Sequence, residues 1–124
     1  MKKYLIVSAA ISGAIAVGLG AFAAHGLKSF LSDENLRIFH TAVEYQFYHT
    51  MALMLTGILT ERFKNWLVGF AGINFIAGII LFSGSLYLLS TNDSSTWLGY
   101  FTPFGGLFFI VGWISLAIGV LKSK

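Results

Sequence analysis

Four uncharged runs divide this chain, at 5–24, 45–60, 65–92 and 94–121. A hydrocarbon core about 30 Å thick takes roughly 20 helical residues to cross, and each run supplies that length or nearly so. Backbone amides in lipid find no water to bond, so a helix that closes its own hydrogen bonds is the favoured way across. The pattern predicts an all-α fold: one four-helix transmembrane bundle, residues 1–124, with spans at about 5–24, 42–61, 66–89 and 102–121.

Local signals set the boundaries. Ser32 before Asp33 and Glu34 reads as a helix start, with a capping hydroxyl and acids facing the positive end of the dipole. The helical pattern then continues to Arg62, longer than one crossing, so this helix should tilt or project outward. The short connection 61–65 forces the second and third helices into an antiparallel hairpin. Gly26 is placed for a left-handed cap on the first helix, and Leu27, Phe30 and Leu31 suggest an interfacial segment after it. Trp66 belongs at the inner interface, and residues 90–96 form a polar outer loop. Trp97, Tyr100 and Phe101 make an aromatic belt, and Thr102-Pro103 opens the last helix.

Composition agrees: 56% of residues are hydrophobic and 10% charged, which leaves no room for a soluble domain. The net charge of +3 does not point to nucleic acid, because Lys2, Lys3, Lys122 and Lys124 flank membrane helices at the termini. With four spans, one side collects Lys2, Lys3, Arg62, Lys64, Lys122 and Lys124, and the other only Lys28 and Arg37. Both termini should therefore be cytoplasmic, in a bacterial plasma membrane. The first run also fits a secretory signal, with Ala21-Phe22-Ala23 as cleavage site, although it is long enough to span. Zero cysteines removes disulfides, thiolate metal sites and cysteine nucleophiles.

Small residues recur on single helix faces: Ser8, Ser12, Ala16, Gly20 and Ala24 in the first helix, and Gly105, Gly112 and Gly119 in the last. Such stripes let helix backbones approach closely, within the bundle or between copies in a homo-oligomer.

Ionisable residues at membrane depth are costly and open functional hypotheses. Counting along the helices places His25, Lys28, Arg37, His40, Glu44, His49, Ser83 and Ser85 near one outer layer, a candidate polar cluster. Glu44 is expected as a buried carboxylate paired with Lys28, Arg37 or a histidine, or as a proton-exchanging group. Imidazole and carboxylate suit zinc, iron or copper, yet no pair has a recognised metal spacing, so no metal or other cofactor is expected. Asn74 and Trp113 fall at one depth nearer the inside, which predicts an indole-to-amide hydrogen bond between the third and fourth helices. There is no nucleophile elbow, phosphate loop or dinucleotide fingerprint, so no catalytic residue is proposed and no enzyme is expected.

Three segments resemble one family: residues 20–27 (Gly-Ala-Phe-Ala-Ala-His-Gly-Leu), 39–46 (Phe-His-Thr-Ala-Val-Glu-Tyr-Gln) with His49, and 82–87 (Phe-Ser-Gly-Ser-Leu-Tyr). They are similar to the signatures of the domain of unknown function 423 family of small bacterial membrane proteins, itself similar to the transmembrane protein 256 group. Ala23 departs from a second glycine common there. The resemblance implies a four-helix inner-membrane protein and supplies no activity. The expectation is a structural or partner-binding bundle in contact with membrane lipids, with no nucleic acid. Its alternatives are a small transporter or channel subunit for protons or a small solute, and a lipid or quinone binder.

Overall fold

The computed structural model describes the backbone of residues 1–124 and every side chain except those of Asp93 and Ser95. Four long helices account for most of the chain: α1 (Lys2–His25), α2 (Asp33–Arg62), α3 (Trp66–Thr91) and α4 (Thr102–Leu121). No strand occurs among the described residues.

Each boundary has a local cause. The Ser32 hydroxyl accepts from the Asn35 N–H at 3.2 Å, and Asp33 and Glu34 occupy the first turn of α2. The Asn65 side chain caps α3 by accepting from the Leu67 N–H at 3.0 Å. Three residues, 63–65, separate α2 from α3, so the two run antiparallel. Pro103 sits in the first turn of α4, where its missing N–H is harmless. Gly26 departs from expectation: its φ is −81°, right-handed, because α1 runs on into a 3-10 turn, Leu27–Ser29, instead of reversing. A side chain there would collide with the Phe22 ring, 2.5 Å away, so close contact accounts for the glycine. The connection between α3 and α4 likewise contains a 3-10 segment, Asp93–Tyr100.

Helix α3 is α-helical over Trp66–Gly78, π-helical over Ile79–Ser83 and α-helical again over Gly84–Thr91. The regular span expected from the sequence therefore carries one inserted residue, which turns its outer half by about 100°. At this level the backbone of Phe82 lies where a Cβ on Gly105 would have to sit, so α4 makes a very close approach at the π turn.

The helices pack as two seams. Along α1 and α2, Ile6 meets Gly57, Gly13 meets Thr50, and Gly20 meets Val43, seven residues apart on both helices. Along α3 and α4, Val68 meets Gly119, Phe75 meets Gly112, and Phe82 meets Gly105, again at intervals of seven. A seven-residue register is that of left-handed helix packing, and glycine at the contacts lets lipid-embedded backbones come close. Ser12, Ala16 and Gly20 face α2 along the first seam, whereas Ala24 is exposed. The core between the seams is Leu5, Ala9, Leu53, Val68, Phe75, Phe109 and Leu116.

α1, α3 and the segment Thr96–Leu121 are each long and apolar enough to cross a membrane, at 24, 26 and 26 residues. α2 has the length, at 30 residues, but not the apolarity. Its polar residues Gln46, His49, Thr50 and Thr56 are buried against the other helices, so low hydropathy here reflects what the bundle hides.

Candidate functional site

Gln46 is the polar centre of the bundle. From α2 its amide donates to the Ser12 carbonyl at 3.0 Å and to the Ser12 hydroxyl at 3.3 Å. Its own carbonyl accepts from the Tyr87 hydroxyl at 2.6 Å. The Ser12 hydroxyl also shares a 2.6 Å hydrogen bond with Thr50. One glutamine thus ties α1, α2 and the outer half of α3, and leaves few of its own groups unsatisfied. The sequence reading passed over Gln46 and Thr50. Their spacing of four, opposite serines on α1, was the available signal.

His49, one turn further in, has both ring nitrogens engaged. Nδ1 lies 2.7 Å from the Tyr45 carbonyl, and the Trp113 indole donates to Nε2 at 3.2 Å. An indole N–H only donates, so Nε2 is the acceptor and the proton sits on Nδ1: a neutral imidazole with a fixed tautomer. The ring stacks on Phe109 at 3.5 Å between centroids, with the planes 9° apart, and Phe75 and Tyr45 complete its surroundings.

This geometry corrects the expected Trp113–Asn74 bond. The Asn74 amide donates instead to the Phe70 carbonyl of its own helix at 2.8 Å. Phe75 packs edge-on to Trp113 at 5.1 Å, and the indole reaches α2 rather than Asn74. Rise per residue gives depth alone; rotation about the helix decides the neighbour.

The eight residues of the expected outer cluster divide into two groups. His49, Ser83 and Ser85 are buried, while His25, Lys28, Arg37, His40 and Glu44 are exposed. Ser85 donates to the Phe82 carbonyl at 2.9 Å and shares a 2.6 Å hydrogen bond with Thr102, joining α3 to the start of α4. Ser83 is fully buried in the π turn, and its hydroxyl has no partner among the described residues. The other five side chains make no hydrogen bond or ion pair among the described residues. Glu44 is therefore not the buried, paired carboxylate that was expected. It points away from the bundle because Gln46, His49 and Thr50 take the inward face of α2. No group of three histidine or acidic residues lies close enough to hold a metal among the described residues.

Val43 packs at Gly20, so Glu44 sits about five residues, roughly 7 Å, from the level of the C-terminal end of α1. The outward face of α2 then continues inward with Tyr48, Met51, Leu55 and Ile58, all exposed. Beside α1 and α3 an open lateral cleft of about 290 Å³ is lined by Ile11, Ile15, Ile76 and Ile80, with Ser12 and Gln46 also on its wall. Lys2, in the first turn of α1, pairs with Glu61, in the last turn of α2, at 2.6 Å. The hydrogen bond and charge of Lys2 hold the Glu61 carboxyl below the ordinary carboxylate range.

Comparison with known proteins places this arrangement. Residues 19–106 match the family model described as "Protein of unknown function (DUF423)". The "UPF0382 membrane protein YwdK" of Bacillus subtilis is 43% identical over 121 residues, covering 97% of this chain and 98% of that protein. A "UPF0382 membrane protein" of Haemophilus influenzae is 42% identical over 124 residues, covering 100% and 98%. The "UPF0382 inner membrane protein YgdD" of Escherichia coli is 35% identical over 124 residues, covering 99% and 93%. No solved structure matches the chain. An all-helical membrane bundle with these relatives over nearly its whole length belongs to the DUF423 family of membrane proteins, whose function is unknown.

Proposed function

We propose that the chain is a non-catalytic, four-span protein of the bacterial plasma membrane, with both termini in the cytoplasm, that holds a protein partner against the outward face of α2. The observation that carries this reading is Glu44: an exposed carboxylate within a predicted span, with no partner among the described residues. An ionisable side chain inside a span is costly unless it is paired, so a second surface that supplies donors is favoured. The orientation rests on Lys2, Lys3, Arg62, Lys64, Lys122 and Lys124 at one end of the bundle against Lys28 and Arg37 at the other. The inner-membrane relative supports the location.

Sizing in discs cut directly from native membranes tests the reading. Wild-type protein should run as an assembly larger than the 13.5 kDa chain, and Glu44→Leu should shift it toward the monomer. A lone wild-type monomer would overturn it. Alkaline phosphatase fused at either terminus should be inactive, and activity at either end would reverse the orientation.

The lateral cleft favours a second reading, in which its isoleucines hold an acyl or quinone tail beside Ser12 and Gln46. Mass spectrometry of gently purified protein should then find a stoichiometric lipid or quinone that Ile80→Trp displaces. An unchanged lipid complement would dismiss it.

A further inference from the structure

The end of the bundle that holds the first turn of α1 concentrates positive charge. Lys2 and Lys3 open α1, Arg62 ends α2, and Lys64 lies in the connection to α3. Val68 of α3 packs at Gly119 of α4, which brings Lys122 and Lys124 to the same end. These six basic side chains meet one acidic side chain, Glu61, already held by Lys2 at 2.6 Å. An open pocket of about 360 Å³ lies here, between the start of α1 and the α2–α3 connection. Met1, Phe63 and Gly69 form its apolar wall, and Lys64, Asn65 and Trp66 bring groups that donate hydrogen bonds. Two contacts hold its shape. The Lys2–Glu61 pair ties α1 to α2, and the Met1 side chain lies 3.5 Å from where a Cβ on Gly69 would sit.

The donors of this pocket have no protein acceptor. Lys64 makes no ion pair and the Trp66 indole no hydrogen bond among the described residues. Asn65 uses its side-chain oxygen to cap the Leu67 N–H, which leaves its amide nitrogen to donate. Thr60, the remaining residue of the lining, already donates to the Gly57 carbonyl at 2.7 Å and adds none. The Arg62 guanidinium lies 6.0 Å from the centre of the Phe63 ring, so a second cation stands beside the apolar wall. No carboxylate lines the pocket, and nothing there would take the ammonium of a zwitterionic headgroup. Its depth points to lipid. The uncharged runs stop at Thr60 and resume at Asn65, so the pocket lies where hydrocarbon meets headgroups, the level at which an indole such as Trp66 settles. We infer that this pocket binds the headgroup of an anionic phospholipid, with Lys64 on the phosphate and the glycerol end of the lipid against Met1 and Phe63. The site is separate from the outward face of α2 and does not depend on a partner there.

The test is lipid retention. The full chain is placed in discs of phosphatidylcholine with a minority of phosphatidylglycerol, moved into mild detergent and weighed by native mass spectrometry. Wild-type protein should keep one phosphatidylglycerol per chain and lose the phosphatidylcholine. Lys64→Gln should lower the retained fraction about fivefold, the weight of one basic residue at an anionic surface, whereas Lys64→Arg should hold it near the wild-type level. Lys124→Gln removes the same charge at the same end but outside the pocket, and retention should not change. Equal retention of the two lipids would overturn the inference, as would full retention by Lys64→Gln. A loss with Lys124→Gln as large as that with Lys64→Gln would mean diffuse charge attraction without a site, and would overturn it too. Displacement of the lipid by soluble glycerol 3-phosphate would assign the pocket to a free phosphate ester instead of a membrane lipid.

Discussion

The two faces of α2 differ in how their polar groups are satisfied. Inward, Gln46, His49, Thr50 and Thr56 are all buried, and each has a hydrogen-bond partner inside the chain. Outward, Arg37, His40 and Glu44 are exposed and unpaired among the described residues, above a run of bare apolar side chains. Lipid offers no hydrogen bonds, so a polar residue in a span is stable where the protein itself supplies the partner. The inward face meets that condition within one chain. The outward face does not meet it among the described residues.

Substitutions on the inward face should carry the larger effects. Gly57→Leu drives a side chain into Ile6, already 2.8 Å from a bare Cβ, and into the α1 backbone at 3.3 Å. A loss of about 3 kcal/mol is expected from such overpacking, read as a lower unfolding midpoint in micelles. Gln46→Leu strands the Tyr87 hydroxyl and takes a donor from Ser12. It should cost about 2 kcal/mol, and Gln46→Glu, which keeps the acceptor for Tyr87, should recover part of that. Trp113→Phe keeps the ring contacts but removes the donor to His49, for about 1 kcal/mol by the same assay.

The sequence made the inward face only partly legible. The tight connection after Arg62 and the Ser32 cap are local properties, and the structure reproduces them. Rotation about the helix axis is not local. The π turn at Ile79–Ser83 rotates the segment that carries Tyr87 and Ser85, and no feature of an apolar run signals an inserted residue. Depth counting therefore grouped His49 and Ser85 with His40 and Glu44, although they sit on opposite sides of the protein surface. Gln46 was overlooked for the complementary reason: an uncharged residue in a span draws no attention until its partners on two other helices are in place.

The smallest effect belongs to the exposed pair of Lys2 and Glu61. Lys2 lowers the folded pKa of Glu61, so the stability this pair adds is fully present above the ordinary carboxylate value. It is lost as pH falls through the lowered folded value. Both groups are solvent-accessible, so Lys2→Ala should remove only a slight acid dependence from the unfolding midpoint.

Unfolding of Glu44→Leu in dilute micelles, where copies are separated, tests the contrast between the two faces most directly. A carboxylate that serves only an external surface should be dispensable there, with the midpoint equal to or above that of wild type. A loss as large as that of Gln46→Leu would mean that Glu44 is bonded within its own chain, and the outward face of α2 would have no claim to a partner.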